Sequence, residues 1–175
     1  FYNMRRRSVL SAEPNDAHKA LVLLEEKYDV HIITQNIDDL HERAGSKNVT
    51  HLHGIITKSQ SDKYPHLTYD IPGSELRIGE LCEKGFQLRP HVVWFGEPVP
   101  MIEYAVELCR TADIAIVIGT SLQVYPAAGL IDMMPDKAQK FIVDPKEISV
   151  SRDLYHIREK AVSGVSNLVQ ILLKA

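Results

Sequence analysis

Apolar and polar positions recur along this chain with two different periods, and each change of period marks an element. After Pro14, the residues Ala17, Ala20, Leu21 and Leu24 return at the spacing of one helical face. Asn15 stands where an N-cap is needed and Asp16 falls in the first turn, so a helix is predicted to start there. The period then shortens. "VHIIT", Val30 to Thr34, is a β-branched run of the kind that forms a strand covered on both faces. A short helix, "DLHERAG", follows and ends at Gly45, a good residue for a left-handed C-cap. "VTHLHG" is a second strand, whose alternation puts Thr50, Leu52 and Gly54 on one face and His51 and His53 on the other.

The same rhythm returns after residue 91. "MIEYAVELCRTAD" predicts an amphipathic helix with Ile102, Ala105, Val106 and Cys109 on one face. "IAIVIG" from Ile114 has the length of a buried strand, followed by the turn "TSLQVYP" and a helix from Ala127. "KFIVD" is the next strand, and "SGVSNLVQILLKA" a closing helix with Ser163 as its N-cap. Helices alternating with β-rich strands predict an α/β domain with a doubly wound, Rossmann-like parallel sheet. Residues 55–91 break this order. They show no helical period, are dotted with Ser, Pro, Gly and Tyr, and are too long for an ordinary connection. A small inserted module of turns and short strands is predicted there, leaving 1–54 and 92–175 to the sheet domain.

Composition narrows the classes. Hydrophobic residues are 45% and charged residues 25%, enough for a core, and a net charge of -3 gives no basic footprint for nucleic acid. The one basic run, Arg5 to Arg7, reads as a solvated helix face. No apolar stretch approaches the ~20 residues of a membrane helix. Two cysteines, Cys82 and Cys109, cannot build a disulfide framework and fit a reducing compartment, so a cytoplasmic location is expected. The first residues carry neither a signal peptide's apolar core nor a start methionine, and the chain is expected to have lost its beginning.

Ligands of an open parallel sheet bind beyond the carboxyl ends of its strands. Three polar clusters fall at such ends: "TQNIDD", "HLHG" and "GTS". Gly119, Thr120 and Ser121 offer backbone N–H groups and two hydroxyls to a phosphate or ribose, although a tight turn alone also explains the glycine. In "QNID", Gln35, Asn36 and Asp38 form either a capping loop for the helix that follows or a cradle for a polyhydroxylated ligand. His51 and His53 admit three readings: a metal site, a hydrogen-bonded pair, or one catalytic histidine beside a structural neighbour. Zinc fares worst, because no third ligand is apparent and "HERAG" has Gly45 where a zinc-protease helix needs histidine.

"TQNIDDLHERAG", "HLHG", "RPHVVWFGE" and "GTSLQVYPAAG", in this order and spacing, resemble the sirtuins, the NAD-dependent protein lysine deacylases. The likeness is greatest to bacterial members, whose chains also carry a segment like "FYNMRRR". The resemblance implies that His53 is the general base. The acyl oxygen of a modified lysine attacks the nicotinamide ribose, nicotinamide leaves, and His53 then activates a ribose hydroxyl, a task suited to imidazole near neutral pH. His51 becomes the structural neighbour. Gln35 and Asn36 would hold the nicotinamide ribose, with Ile37 and Asp38 forming the nicotinamide pocket. Gly119, Thr120 and Ser121 would line the phosphate and adenosine half of NAD. Val93 and Phe95 would wall the acyl-lysine tunnel, while Gly96, Glu97, Val124 and Tyr125 would pair their backbones with the substrate peptide by strand addition.

The resemblance also marks departures. The glycine-rich first turn, most of the helical small domain and the cofactor loop would precede Phe1, with residues 1–12 the end of that helical segment. The chain alone is therefore expected to be close to inactive. Asp144 stands where the family has asparagine. In bacterial relatives that accept acidic acyl groups, a tyrosine and an arginine read the acyl carboxylate, and the resemblance places that pair before Phe1. The family's two CxxC pairs around zinc are reduced to Cys82 between residues 55 and 91, so no zinc is expected and Cys82 is read as a small buried residue. Packing of Tyr64, Leu67, Tyr69, Ile71, Leu76, Ile78, Leu81 and Phe86 would replace the metal. Two alternatives remain: ADP-ribosyl transfer to protein, and a non-catalytic module binding NAD or peptide.

Overall fold

In the computed structural model, which describes residues 1–120, 127–147 and 154–175, the chain divides into two units that interleave along the sequence. One comprises residues 14–33, 41–50 and 100–175, and the other 1–13, 34–40 and 51–99.

The first unit is built on helices that cover a parallel sheet. Helix α2 (Asp16–Leu24) starts on Asn15, whose Oδ1 accepts the amides of Ala17 at 3.0 Å and His18 at 3.3 Å, while the His18 ring accepts the Asn15 amide. Ala17, Ala20, Leu21 and Leu24 are buried, as their spacing predicts. They pack with Val165, Leu168, Val169 and Leu172 of α5 (Ala161–Lys174), and with Ile32 of β1 (Ile32–Thr34) and Val143 of β7 (Gln139–Val143). Strands β6 (Ile114–Ile118), β7 and β8 (Leu154–Ile157) run parallel in that order. On the opposite face, Cys109 of α4 (Ile102–Thr111) packs with Met134 and Ala138 against Ile33 and Ala115. Ile114 and Ala115 of β6 therefore turn to opposite clusters, so the three-stranded sheet is covered on both sides as the doubly wound prediction requires, and Ile32 and Ile33 of β1 divide in the same way.

Several expectations need correction. β6 is half-buried throughout, because it forms one edge of its three-stranded sheet. Ala127–Met133 is a 3-10 helix rather than an α-helix. α5 begins at Ala161, so Ser163 lies inside its first turn, its hydroxyl donating back to the Lys160 carbonyl at 3.2 Å. β8 was not foreseen, since "LYHI" is short and mixed in character.

In the second unit, β3 (Gly54–Ser61) is flanked antiparallel by β4 (Thr68–Asp70) and β5 (Leu88–Val92), and α1 (Tyr2–Ser11) packs on β3. Gly54 has φ +80°, and a Cβ there would collide with the His91 carbonyl, so strands β3 and β5 approach this closely only at glycine. Arg6 is not on a solvated face. It is 0% exposed, donating Nε to the Ile56 carbonyl at 2.6 Å and Nη1 to Asn3 Oδ1 and the Ser74 carbonyl.

The apolar packing expected for residues 55–91 is only partly present. Ile71 is buried, but Ile78 is 99% exposed and Leu81 faces solvent, while Ser59, Gln60 and Ser61 are buried. Cys82 is buried as expected, its thiol donating to Ser61 Oγ at 3.4 Å. The Gln87 side chain ties the segment together, accepting the Gly79 amide and donating to the carbonyls of Arg77, Glu80 and Leu88. Among the described residues, no helix is long and apolar enough to cross a membrane.

Candidate active site

The loop after β1 is shaped by its own side chains. Thr34 Oγ1 accepts the Asn36 amide at 3.1 Å, and Asp38 Oδ1 accepts the Leu40 amide at 3.1 Å, capping α3 (Leu40–Ala44). The capping role weighed for Asp38 is thus real. It does not exclude the other, because Asp38 also lines a cavity of about 440 Å³ with Gln35, Asn36 and Ile37. The Ile37 carbonyl accepts the Ile56 amide at 2.7 Å, which pins this loop to β3. Phe1, Tyr2, Arg5, Val9, Ile56 and Val92 complete the lining.

The two histidines sit on this loop. β2 (Val49–His51) ends at His51, yet burial alternates through Gly54, with Thr50, Leu52 and Gly54 inward and both histidines half-buried. His53 Nδ1 lies 3.1 Å from the Gln35 carbonyl, and His51 Nδ1 lies 3.3 Å from the Asn36 carbonyl. A carbonyl only accepts, so each Nδ1 carries its proton and each Nε2 has a lone pair when the ring is neutral. The His53 carbonyl in turn accepts the Val93 amide at 3.0 Å. Ring and backbone of His53 are therefore both held, the ring by the QNID loop and the backbone by the segment after β5. Among the described residues, no group of three or more His, Cys, Asp and Glu side chains could hold a metal ion.

Val93 is half-buried, Phe95 and Gly96 are exposed, and Glu97 is half-buried, all on the turn that leaves β5. In the other unit, Gly119 has φ +60° and donates its amide to the Val143 carbonyl at 3.1 Å, with Ile118 and Val143 paired in the parallel ladder. Gly119 and Asp144 thus sit side by side at the carboxyl ends of adjacent strands, followed by Thr120. Asp144 Oδ1 accepts the Lys146 amide at 2.8 Å, and its carbonyl accepts from His156 Nε2 at 3.0 Å. Ser121, Val124 and Tyr125 lie outside the described residues.

Two lining residues were missed in the sequence. Tyr2 and Arg5 bring a phenol and a guanidinium to the cavity wall, so this chain does carry the side-chain types expected only before Phe1. Their i, i+3 spacing in "YNMR", which places both on one helix face, was the available signal.

Comparison with known proteins agrees with this arrangement. A relative from Bacteroides thetaiotaomicron, an NAD-dependent protein deacylase, is 46% identical over 182 residues, spanning 100% of this chain and 78% of its own length. A solved Sir2 homolog in complex with NAD superposes with a TM-score of 0.89 at 36% identity, covering 99% of this chain and 70% of the other. A Sir2 structure with a p53 peptide and NAD+ superposes with a TM-score of 0.79 at 31% identity, covering 96% and 74%. Residues 1–126 match the Sir2 family, and the chain belongs to it.

Proposed function

We propose that this protein removes acyl groups from lysine side chains of proteins, with NAD as co-substrate and nicotinamide and O-acyl-ADP-ribose as products. The observation that carries the proposal is His53. Its Nδ1–H is committed to the Gln35 carbonyl, so Nε2 is the atom that takes a proton. NAD, when bound, supplies an electrophilic ribose carbon and a leaving group. The cavity suits its nicotinamide end: amides at Gln35 and Asn36, a carboxylate at Asp38 for a carboxamide N–H, and apolar walls at Ile37, Ile56 and Val92.

Within the same proposal, Gln35 and Asn36 orient the ribose, and Ile37 and Asp38 take the nicotinamide. Gly119, Thr120, Ser121 and Asp144 serve the phosphate and adenosine part with hydroxyls and a carboxylate, the Gly119 amide being already taken by the Val143 carbonyl. Val93 and Phe95 border the acyl-lysine stem, and Gly96, Glu97, Val124 and Tyr125 meet the peptide backbone. The division into a nucleotide-binding part, 1–54 and 92–175, and an inserted module, 55–91, belongs to this proposal. So does a cytoplasmic location, supported by two cysteines that are both free.

The cavity also speaks to the acyl group. Among the described lining residues Arg5 carries a cationic side chain, and Tyr2 adds a hydroxyl on the same helix face. A carboxylate at the end of the acyl chain is the group that such a pair recognises. Acidic acyl-lysine is thus favoured over acetyl-lysine.

Incubating the protein with NAD and acetyl- or succinyl-lysine peptide tests both statements. O-acyl-ADP-ribose is the expected product, and ADP-ribose attached to protein instead would move the assignment to ADP-ribosyl transfer. His53→Ala should lower turnover by about 10²–10⁴-fold, the usual worth of a positioned general base. Arg5→Met should lower turnover of the succinyl peptide and spare that of the acetyl peptide.

A further inference from the structure

Arg89 lies on β5, and its guanidinium reaches the last residue of that strand and two residues of the turn that follows. Nη1 donates to the Val92 carbonyl at 3.1 Å, the cation stands 4.3 Å from the Trp94 ring centre, and Nη2 donates to Glu97 Oε1 at 2.8 Å. The second Glu97 oxygen, Oε2, accepts the Trp94 amide at 2.8 Å, and the Glu97 amide closes the turn on the Trp94 carbonyl at 3.0 Å. One carboxylate thus joins the arginine to the backbone of the turn. The pair is not a loose surface contact, since the Arg89 and Glu97 side chains are only 16% and 33% exposed.

Inside this clasp sit the residues assigned to the substrate. Phe95 is fully exposed and Gly96 has φ +88°, so the apex of the turn has no packing of its own to define its shape. Val93, at its start, donates its amide to the His53 carbonyl. Whatever holds residues 94–97 therefore also sets where the substrate wall stands relative to the base.

We propose that Arg89 is a positioning residue for the acyl-lysine peptide, holding the turn from Trp94 to Glu97 in the shape that presents Val93, Phe95 and Gly96. The proposal rests on the deacylase assignment for its substrate, but not for the clasp itself. A planar guanidinium makes the ion pair, the carbonyl bond and the ring stack at once, which an ammonium cannot do. Holding the turn before the peptide arrives spares the peptide the cost of ordering it.

Two readouts on the whole protein test this. Arg89→Met should raise the peptide KM about tenfold while leaving kcat within about twofold and the NAD KM unmoved, the pattern of lost binding rather than lost chemistry. Trp94 is the chain's single tryptophan, so acrylamide quenching of intrinsic fluorescence, measured without substrate, should rise in the same variant. Arg89→Lys should fall between wild type and Arg89→Met in both measurements, and it carries the test if Arg89→Met does not fold. Glu97→Gln, whose amide oxygen still accepts the Trp94 amide, should be milder than Glu97→Ala. An unchanged peptide KM, a fall in kcat with KM unmoved, or unchanged quenching overturns the proposal. Should the wild type fail to deacylate at all, the functional assignment falls, and quenching alone then decides the clasp.

Discussion

Around Leu168 the chain closes on aliphatic side chains from two helices and two strands, whereas the unit that holds Gln60 buries polar side chains alongside apolar ones. The α2–α5 cluster contains Ala17, Leu21, Val143, Val165, Leu168 and Val169, all buried. The other unit buries Leu52, Ile56, Ile71, Cys82 and Val92, but Arg6, Ser59, Gln60 and Ser61 are buried there too. A buried polar group is costly unless its bonds are made, and those bonds are directional. An apolar core gives stability without specifying a position to a fraction of an ångström. A bonded polar framework does the reverse, and His53, the QNID loop and the Trp94–Glu97 turn all belong to that unit. The division suggests that one unit supplies most of the folding free energy while the other supplies geometry.

The strongest test of that division removes apolar volume. Leu168→Ala should cost about 2–5 kcal/mol, the range for a buried leucine whose cavity does not collapse. Urea denaturation measures the loss, and the variant should keep near-normal turnover at a temperature where it stays folded. A loss below about 1 kcal/mol, the level of an ordinary substitution, would mean the α2–α5 cluster is not the main source of stability.

Gly54→Ala attacks the geometric side. The new Cβ meets the His91 backbone, and the φ of +80° is strained for any residue but glycine, so a loss of about 1–3 kcal/mol is expected. Activity should fall further than stability accounts for, because Gly54 directly follows His53 and the displaced strand carries Val92 and leads into Val93. Deacylation that stays at the wild-type level when the variant is fully folded would separate the β3–β5 approach from the chemistry.

Much of this was legible in the sequence, for reasons that differ between the units. The α2 boundary followed from Asn15 and its capping partners, and the buried face from the spacing of four apolar residues, because local chemistry settles both. The alternation of Thr50, Leu52 and Gly54 against the two histidines held even past the end of β2. Burial of Arg6 was not legible, since its acceptors Ile56 and Ser74 lie 50 and 68 residues away. Nor was the exposure of Ile78 and Leu81, because an apolar residue in a turn carries no periodic sign of which way it points. The cavity role of Tyr2 and Arg5 was missed because such a pair was expected before Phe1, and because "RRR" was read as one charged face when successive helix positions face in different directions.

Gln87→Ala sharpens the comparison with a smaller effect. It deletes an amide that serves Gly79, Arg77, Glu80 and Leu88, so a loss of about 1–2 kcal/mol is expected from several hydrogen bonds partly replaced by water. Ile78→Ser, at an apolar but exposed site, should change stability by less than about 0.5 kcal/mol. A larger cost at Ile78 than at Gln87 would reverse the account of what holds residues 55–91. Chelator treatment should leave the melting temperature of the wild type unchanged.

The smallest expected effect is a pH dependence seated at His91. Its Nδ1 lies 2.6 Å from Gln60 Oε1, an acceptor, so Nδ1 bears the proton and the neutral ring already satisfies its partner. Burial pushes its pKa below the ordinary histidine value, and the charges of Lys58, Arg89 and His51 push it the same way. The unfolded chain, where His91 titrates near its ordinary value of about 6.5, therefore binds its proton first as pH falls. Stability from this residue is fully present above about pH 6.5, declines as pH drops toward the lower folded value, and levels off beneath it. His91→Asn keeps a side-chain N–H for Gln60 but cannot titrate. The difference in urea midpoint between wild type and variant should thus shift in the variant's favour from about pH 7.5 to about pH 5, which cancels the carboxylates that titrate in both. A difference that stays constant across that range, or moves toward the wild type, would show that the ring accepts its second proton in the folded unit as readily as in the unfolded chain.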